Sequence, residues 1–150
     1  MPMTVQEILD DKVVKGGVTH SVSPDSPVRE AVALMVREDI GSVVVLEGGA
    51  LAGLLTLREL VKGLESLGAK LLETPVREVM NARPAVVHPE DSADTLRSTM
   101  TELHVTHVPV LQGERLAGIV SFHDIARSAI KDVAFENKLL KQYIKNWPQG

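Results

Sequence analysis

The sequence contains no cysteine among its 150 residues. Disulfide scaffolds, thiolate zinc sites and cysteine nucleophiles are therefore excluded, and the composition is compatible with a reducing compartment. At this length roughly two-thirds of the surface of the unfolded chain can be buried on folding, so a core can form without cross-links. We expect one compact domain.

An excess of positive charge and long apolar runs are also lacking. The 16 basic and 20 acidic residues give a net charge of -4, which disfavours a protein that binds nucleic acid mainly through phosphates. The longest apolar runs, residues 42–46 and 51–55, are far shorter than the roughly 20 residues that span a bilayer. Residues 1–7 lack the basic and apolar regions of a signal peptide. We therefore expect a cytoplasmic protein that has neither nucleic acid nor a membrane as its partner.

What the sequence does contain is an internal repeat. Residues 22–60 align without a gap on residues 87–125 at a shift of 65, and ten of the 39 pairs are identical. In each copy a proline turn precedes apolar residues at helical spacing, followed by a short apolar run, a glycine turn and a second apolar run. Thr56 and Ser121 then occupy the N-cap position of a second helix. Each copy is predicted to be helix, strand, turn, strand, helix.

The repeat predicts the domain organisation. The expected parts are a first repeat with a lead-in helix at 1–67, a linker at 68–75, a second repeat at 76–130, and a C-terminal amphipathic helix and tail at 131–150. Both lead-ins, residues 5–9 and 76–80, are expected to be helical, and they are similar at a shift of 71, so the first copy carries six extra residues around positions 11–19. Their role is open. Two such α+β units are expected to bury their strands against each other.

A helical pattern follows the second copy. Over residues 126–147, apolar side chains recur at mainly helical spacing between lysines, and they include the only tyrosine and tryptophan, Tyr143 and Trp147. An amphipathic helix must bury its apolar stripe on its own body or on another chain. A homodimer is therefore one expected assembly.

Several local motifs identify a family. Residues 53–59 and 118–124 follow the pattern Gly-x-x-Thr/Ser-x-x-Asp, with a glutamate in the first copy. Each copy also has a Val-x-Pro segment before its first helix and a methionine within it, and Val108-Pro109-Val110 precedes the second turn. In these residues the chain resembles the cystathionine beta-synthase (CBS) domain, in the tandem pair called a Bateman module and of the small stand-alone bacterial type. The resemblance implies an α+β fold with two tandem CBS repeats packed sheet to sheet in pseudo-twofold symmetry, plus a C-terminal helix.

The resemblance also implies a binding cleft between the two repeats. Its ligand would be an adenosyl compound such as AMP, ADP, ATP, NAD or S-adenosylmethionine, with AMP as the first candidate and no catalytic cofactor. The main site carried over from the family consists of His20, Ile40, Gly41, Ser42, His107, Gly118, Ser121, His123 and Asp124. A second site, related by the pseudo-twofold, consists of Thr56, Arg58, Glu59, Ala85, Val105 and Thr106. Glu59 stands where the family has aspartate, and its extra methylene changes its reach to a ribose.

The chemistry of these residues suits such a ligand. A helix N-terminus offers unpaired N–H groups and a positive dipole end to a phosphate, and Ser121 adds a hydroxyl there. The carboxylate of Asp124 can accept hydrogen bonds from both ribose hydroxyls. The competing interpretation is a capping box, in which a carboxylate three residues after the N-cap binds the N-cap N–H group. Glu59 suits that structural role better than Asp124.

We therefore predict a regulatory module that binds an adenosyl ligand and changes the packing of its repeats or of a dimer, and that acts on a downstream protein the sequence does not name. It is not predicted to be an enzyme or to hold a metal. His104, His107 and His123 with Asp124 lack the spacing of a tight metal site. A small hydrolase built on His107, His123 and Asp124 would need an oriented base and a nucleophile, for which no pattern occurs. A protein–protein interaction module that binds no ligand is the other alternative.

Overall fold

The computed structural model describes residues 3–11 and 19–130. The first repeat contains α1 (Val5–Asp11), β1 (Ser21–Val22), α2 (Val28–Glu38), β2 (Ser42–Glu47), β3 (Ala50–Thr56) and α3 (Leu57–Leu67). Two 3-10 segments, Gly68–Glu73 and Val76–Glu78, connect it to α4 (Ala93–Leu103), β4 (His107–Gln112) and β5 (Arg115–Ser121). Residues 122–130 are helical and form α5. The predicted order of helix, strand, turn, strand and helix is confirmed in both copies.

Each repeat is built on an antiparallel hairpin. Strands β2 and β3 pair with a register shift between Val45 and Leu46, and β4 and β5 have the same shift at the equivalent pair, Val110 and Leu111. The turns contain glycines with positive φ, as tight hairpin turns require. Strand β1 adds in parallel to β2, whereas the second copy has a single parallel bridge between Val87 and Val110. The two hairpins contact each other through β3 and β5, in agreement with the expected burial of strand against strand.

The lead-in segments are exchanged between the repeats. In α1, Val5 and Ile8 are buried in the core of the second repeat with Leu96 and Met100. Val76, which begins the second lead-in, is conversely buried in the core of the first repeat. Because each repeat is completed by a segment from the other, separating them would expose both cores to water.

Backbone hydrogen bonds show that the exchange is symmetric. The N–H of Val5 donates to the carbonyl of Asp91 at 2.8 Å, and the N–H of Val76 donates to the carbonyl of Ser26 at 2.8 Å. These donors are equivalent at a shift of 71, and the acceptors are equivalent at a shift of 65. The second lead-in differs from expectation in one respect: it is a short 3-10 turn, Val76–Glu78, and not an α-helix.

The connection between the repeats is packed against the protein. The segment expected as a linker, residues 68–75, contains the 3-10 helix Gly68–Glu73, and its Leu71 is buried in the first core. Arg77 then forms an ion pair with Asp25 in the proline turn of the first repeat. The hydrogen bond and charge of Asp25 raise the pKa of the Arg77 guanidinium above its ordinary value. The connection is therefore part of the first repeat's structure.

The exchange explains why Gly53 and Gly118 are identical in the two copies. A Cβ atom on Gly53 would lie 2.6 Å from Sδ of Met80 and 2.8 Å from the carbonyl oxygen of Asn81. A Cβ atom on Gly118 would lie 3.0 Å from Cδ2 of Leu9. Leu9 and Met80 are equivalent residues of the two lead-ins, so each glycine makes room for the lead-in of the other repeat.

Two expectations fall largely outside the described residues. The amphipathic helix expected at 126–147 is described only to residue 130, and up to there it is helical. The extra segment around residues 11–19 is described only at its two ends. Within the described ranges, none of the helices has the length and apolar character needed to cross a membrane.

Candidate functional site

The second strand-to-helix junction, where β5 meets α5, holds Ser121 and Asp124 in a reciprocal arrangement. The N–H of Ser121 donates to Oδ2 of Asp124 at 2.9 Å, and the N–H of Asp124 donates to Oγ of Ser121 at 3.1 Å. Arg127, one helical turn further on, donates to Oδ1 of Asp124 at 2.8 Å. Asp124 is only 3% exposed. The first turn of α5 thus carries both halves of the capping box that competes with the ligand interpretation, and Arg127 compensates the charge of its buried carboxylate.

The first repeat contributes a loop that follows α2. This helix ends at Asp39, a non-glycine residue with φ of 53°, whose N–H donates back to the carbonyls of Met35 and Val36. A left-handed residue here turns the chain sharply, so that Ile40 and Gly41 leave the helix and lead into β2. The αL conformation is costly for an ordinary residue and is best tolerated by asparagine and aspartate.

Gly41 brings this loop against the second repeat. A Cβ atom on Gly41 would lie 3.2 Å from Cε1 and 3.5 Å from Nε2 of His107. His107 is in turn the strand partner of Ser121 across β4 and β5. The structure therefore brings together Gly41 and His107 from the two repeats, beside the Ser121 and Asp124 pair. These proximities form a path from Gly41 through His107 and Ser121 to Asp124.

The remaining residues of the predicted main site lie at varying distances from this path. Ser42 is buried at the start of β2, next to Gly41. The carbonyl of His20 accepts from the N–H of Val44 at 3.2 Å, and its ring lies 3.7 Å from a carboxylate oxygen of Glu38. His123 is exposed on the first turn of α5. Gly118 is buried against Leu9, which gives it a packing role in the lead-in exchange.

The first strand-to-helix junction, where β3 meets α3, carries the predicted second site. The N–H of Thr56 donates to Oε1 of Glu59 at 3.0 Å, and the Thr56 hydroxyl donates to the same oxygen at 2.5 Å. The Thr56 side chain also accepts from the backbone N–H of Glu59, so the capping box considered above is complete. Glu59 therefore makes the structural contact that its length predicts.

Residues of the second repeat complete this junction. Nη1 of Arg58 donates to the carbonyl of His104 at 3.4 Å. His104 ends α4 with φ of 55°, the same left-handed conformation as its equivalent Asp39, and Val105 and Thr106 follow it. The structure thus brings Arg58 close to the loop of Val105 and Thr106, and Ala85 is half-buried.

Sequence reasoning missed two features of the site. Arg127 was not predicted, although its spacing of three residues from Asp124 on a helix is a signal for an ion pair. The left-handed residues Asp39 and His104 were also missed as backbone features, and their equivalence at a shift of 65 was the available signal. The described residues contain no group of three histidine, aspartate or glutamate side chains that could hold a metal ion.

An open groove lies beside the first junction, where β3 meets α3. It has a volume of about 530 Å³ and runs between α3 and the second lead-in, with Glu59, Lys62, Ser66 and Glu78 among its lining residues. The sequence did not predict this groove, because α3 and the second lead-in are brought together only by the exchange of lead-ins between the repeats.

Comparison with known proteins supplies the family context. A sequence profile of the CBS domain family matches residues 5–66 and 76–131. The chain is 31% identical over 106 residues to the CBS domain-containing protein YhcV of Bacillus subtilis, an alignment that covers 71% of this chain and 75% of that protein. It is 28% identical over 126 residues to the mitochondrial CBS domain-containing protein CBSX3 of Arabidopsis thaliana, and the alignment covers 81% of this chain and 61% of the plant protein.

Solved structures share the fold. A CBS-domain containing protein of Agrobacterium tumefaciens is 32% identical with a TM-score of 0.79, covering 86% of this chain and 95% of its own. More distant neighbours include the CBS domain pair of protein MJ0100, solved with 5'-methylthioadenosine and S-adenosylmethionine at 21% identity and a TM-score of 0.75. CBSX2, solved with AMP, is also 21% identical and has a TM-score of 0.72. At that identity the last two show a common fold.

Proposed function

The chain belongs to the CBS domain family, and from this premise we propose that it is a regulatory module that binds an adenosyl ligand in the cleft between its repeats. MJ0100 binds 5'-methylthioadenosine and S-adenosylmethionine and CBSX2 binds AMP, which supports an adenosyl compound as the ligand class. AMP is the first candidate to test. The cytoplasmic location expected from the sequence stays a prediction.

The observation that carries the proposal is the contact between Gly41 and His107. It joins the loop of the first repeat to the strand that bears Ser121 and Asp124 in the second. A ligand at this point would touch both repeats at once. A site made from two halves can report on their packing, which a site within one repeat cannot do.

In the proposed binding mode, the ribose hydroxyls donate to the Asp124 carboxylate and the phosphate lies at the N-terminus of α5. The positive end of the helix dipole favours an anion there, while the N–H groups of Phe122 and Asp124 already donate to Thr106 and Ser121. The Ser121 hydroxyl donates to the same phosphate. The adenine lies against the loop of Ile40, Gly41 and Ser42, and His107 stands between the two parts.

Binding is proposed to change how the repeats pack, because the ligand holds groups of both. The exchanged lead-ins connect each core to the other, so a shift at the cleft reaches both. Couplings of this kind are typically worth about 1–3 kcal/mol, which corresponds to a change of roughly 5- to 150-fold in the affinity for a partner. The partner is a downstream protein or a second copy of the chain.

The proposal is tested by a thermal-shift series on ligand-stripped protein with AMP, ADP, ATP, NAD, S-adenosylmethionine and GTP. A ligand at 100 times its dissociation constant stabilises the fold by about 2.7 kcal/mol. We expect one or more adenosyl compounds to raise the melting temperature and GTP to leave it unchanged. A folded wild-type protein that responds to none of them would refute the proposal.

Asp124→Asn tests the site itself. The amide keeps the size of the side chain but loses the charge and one acceptor, so affinity for the adenosyl ligand should fall at least tenfold in calorimetry. Asp94→Asn is the matched control, because Asp94 also pairs with an arginine one turn further on, at 2.8 Å, but is exposed on α4. Equal affinity of the two variants would remove Asp124 from the site. Recovery of intact nucleotide after incubation checks that the role is binding and not hydrolysis.

A homodimer is the assembly we propose, and a specific surface supports it. Leu57, Val61 and Leu64 on α3 are 59–66% exposed and lie at positions i, i+4 and i+7, on one face of the helix. Phe122, the equivalent of Leu57 on α5, is also exposed. A second copy would cover these apolar side chains. The same surface would serve the alternative function, an interaction module that binds no ligand.

A further inference from the structure

Exposed apolar side chains cluster on the outer face of α3. Leu57, Val61 and Leu64 are 61%, 66% and 59% exposed, and their spacing of four and three residues places them on one side of the helix; we call them the α3 stripe. Within residues 3–11 and 19–130, the other exposed large apolar side chains are two on α5, Phe122 and Ile130, and three that lie singly elsewhere, Val36, Val86 and Leu103. A contiguous apolar face marks a contact surface, whereas scattered apolar residues are ordinary.

The last helix lacks the stop signal that ends α3. Helix α3 ends at Leu67, and Gly68 follows it with φ of 55°. At the repeat shift of 65, Val133 occupies the position of Gly68, and a β-branched residue fits a positive φ poorly. Neither glycine nor proline occurs between Ser121 and Pro148. The sequence therefore predicts that the last helix continues past the point where α3 ends.

This predicted continuation carries an apolar face of its own. From Phe122, the equivalent of Leu57, apolar side chains recur at spacings of three, four or seven residues, namely Ala126, Ala129, Val133, Leu140, Ile144 and Trp147. As a helix, residues 131–147 would measure about 26 Å, close to the diameter of a small domain. With no turn residue before Pro148, the sequence gives this segment no means of folding back onto the α3 of its own chain.

The end of this segment matches α3 in length and spacing. Leu140, Ile144 and Trp147, which we call the C-terminal stripe, repeat the order of four and then three residues found in the α3 stripe. Each stripe therefore spans about 10 Å of helix. Helices with apolar residues at three- and four-residue spacing pack side by side with interlocked side chains. The α3 stripe thus has the size and pattern needed to bury the C-terminal stripe.

We propose that, in the homodimer, the C-terminal stripe of one copy packs on the α3 stripe of the other. This inference rests on the proposed homodimer and deepens it, because it names the segment that covers α3. In a dimer with a two-fold axis the contact occurs twice. Each α3 stripe is then covered, and each C-terminal stripe is buried on a second chain.

Trp147 is the only tryptophan, so its fluorescence reports on this contact in the full chain. In the dimer its emission should lie at the short wavelength of a buried indole, and dilution should shift it to longer wavelength. Val61→Glu on α3 and Ile144→Glu on the C-terminal stripe should each give the longer-wavelength emission and a monomer in sedimentation velocity. Ser66→Glu is the matched control, because it adds the same charge at an exposed position on the opposite face of α3. It should behave as the wild type, and circular dichroism verifies the fold of each variant.

Cysteine cross-linking identifies the pairing directly, because the chain has no native cysteine. A tagged Val61→Cys chain and an untagged Ile144→Cys chain are mixed under reducing conditions and then oxidised. We expect a disulfide that joins one chain of each kind. Gln142→Cys replaces Ile144→Cys in the control, because a shift of two residues places the thiol on the opposite side of a helix, and this mixture should give little mixed disulfide.

The outcomes separate this inference from the proposed homodimer. If Val61→Glu gives a monomer while Ile144→Glu leaves sedimentation and emission unchanged, the role of the C-terminal stripe is overturned and a homodimer through α3 stands. A wild-type dimer whose Trp147 emits at long wavelength would overturn the inference in the same way. A wild type that is monomeric, with short-wavelength emission at every concentration, would overturn the inference and the homodimer together, because the segment would then be buried within its own chain.

Discussion

The exchange of lead-ins predicts that two equivalent glycines respond differently to the same substitution. In Gly53→Ala the new methyl meets Sδ of Met80 at 2.6 Å and the backbone oxygen of Asn81 at 2.8 Å. In Gly118→Ala it meets only the end of the Leu9 side chain, at 3.0 Å. A leucine methyl can rotate away, but a carbonyl in a hydrogen-bonded bridge cannot.

The size of the effect follows from these contacts. Overpacking a well-packed site costs about 1–3 kcal/mol. Moving Asn81 also weakens two backbone hydrogen bonds to Leu54, of 2.9 and 3.0 Å, each worth about 1 kcal/mol. Alanine returns about 0.4–1 kcal/mol by restricting the unfolded chain. We therefore expect Gly53→Ala to lower the free energy of unfolding by about 2–4 kcal/mol and Gly118→Ala by less than about 1 kcal/mol.

Urea denaturation of the two variants beside the wild type measures the difference. For a chain of this size 1 kcal/mol corresponds to about 2–4 °C, so Gly53→Ala should also lower the melting temperature by roughly 5–15 °C. Equal losses at the two positions, or a larger loss for Gly118→Ala, would refute the reasoning, since both glycines occupy the same place in the repeat and differ only in what the exchanged lead-in puts against them.

Three further outcomes are expected. Ile8→Ala should cost about 2–4 kcal/mol in urea denaturation and raise hydrogen exchange in β4 and β5, because Ile8 lies in the second core; faster exchange confined to the first repeat would contradict the exchange of lead-ins. Ser92→Ala removes the acceptor of the Thr95 N–H at the start of α4 and should lower the free energy of unfolding by about 1 kcal/mol. An unchanged free energy of unfolding in urea denaturation would contradict this role of Ser92. Val61→Glu should shift the proposed homodimer towards monomer in sedimentation velocity, whereas unchanged sedimentation would exclude this face of α3 as the contact.

Much of the fold could be predicted because its signals are local. The glycine turns, the apolar runs and the helical spacing each involve residues a few positions apart. Each of these patterns also occurs twice, at a shift of 65, so each copy supports the interpretation of the other. The N-caps Thr56 and Ser121 were predictable for the same reason. The second lead-in was not: it reads as a helix like the first and its backbone binds a proline turn in the same way, but it forms only a 3-10 turn.

The site was predictable in its residues but not in its contacts. That Gly41 and His107 meet could be expected only from a family resemblance, since 66 positions separate them and no local pattern links them. The ion pair of Arg127 with Asp124 was within reach of helical spacing. The double contact of Thr56 with Glu59 depends on side-chain length and rotamer, which the spacing of residues in the sequence does not specify.

The sequence by itself determined that the chain has two copies of one α+β unit and where the hairpin strands and the helices that flank them lie. Burial periodicity and capping are encoded within each element, so they can be recognised without knowing what the element packs against. Only the tertiary structure decided that each lead-in completes the other repeat and that the two equivalent junctions differ in the bond made by the hydroxyl. Both depend on which surfaces of the two repeats meet. Two segments with the same local pattern could bury their apolar faces on either repeat, and only the packing of the whole chain selects one.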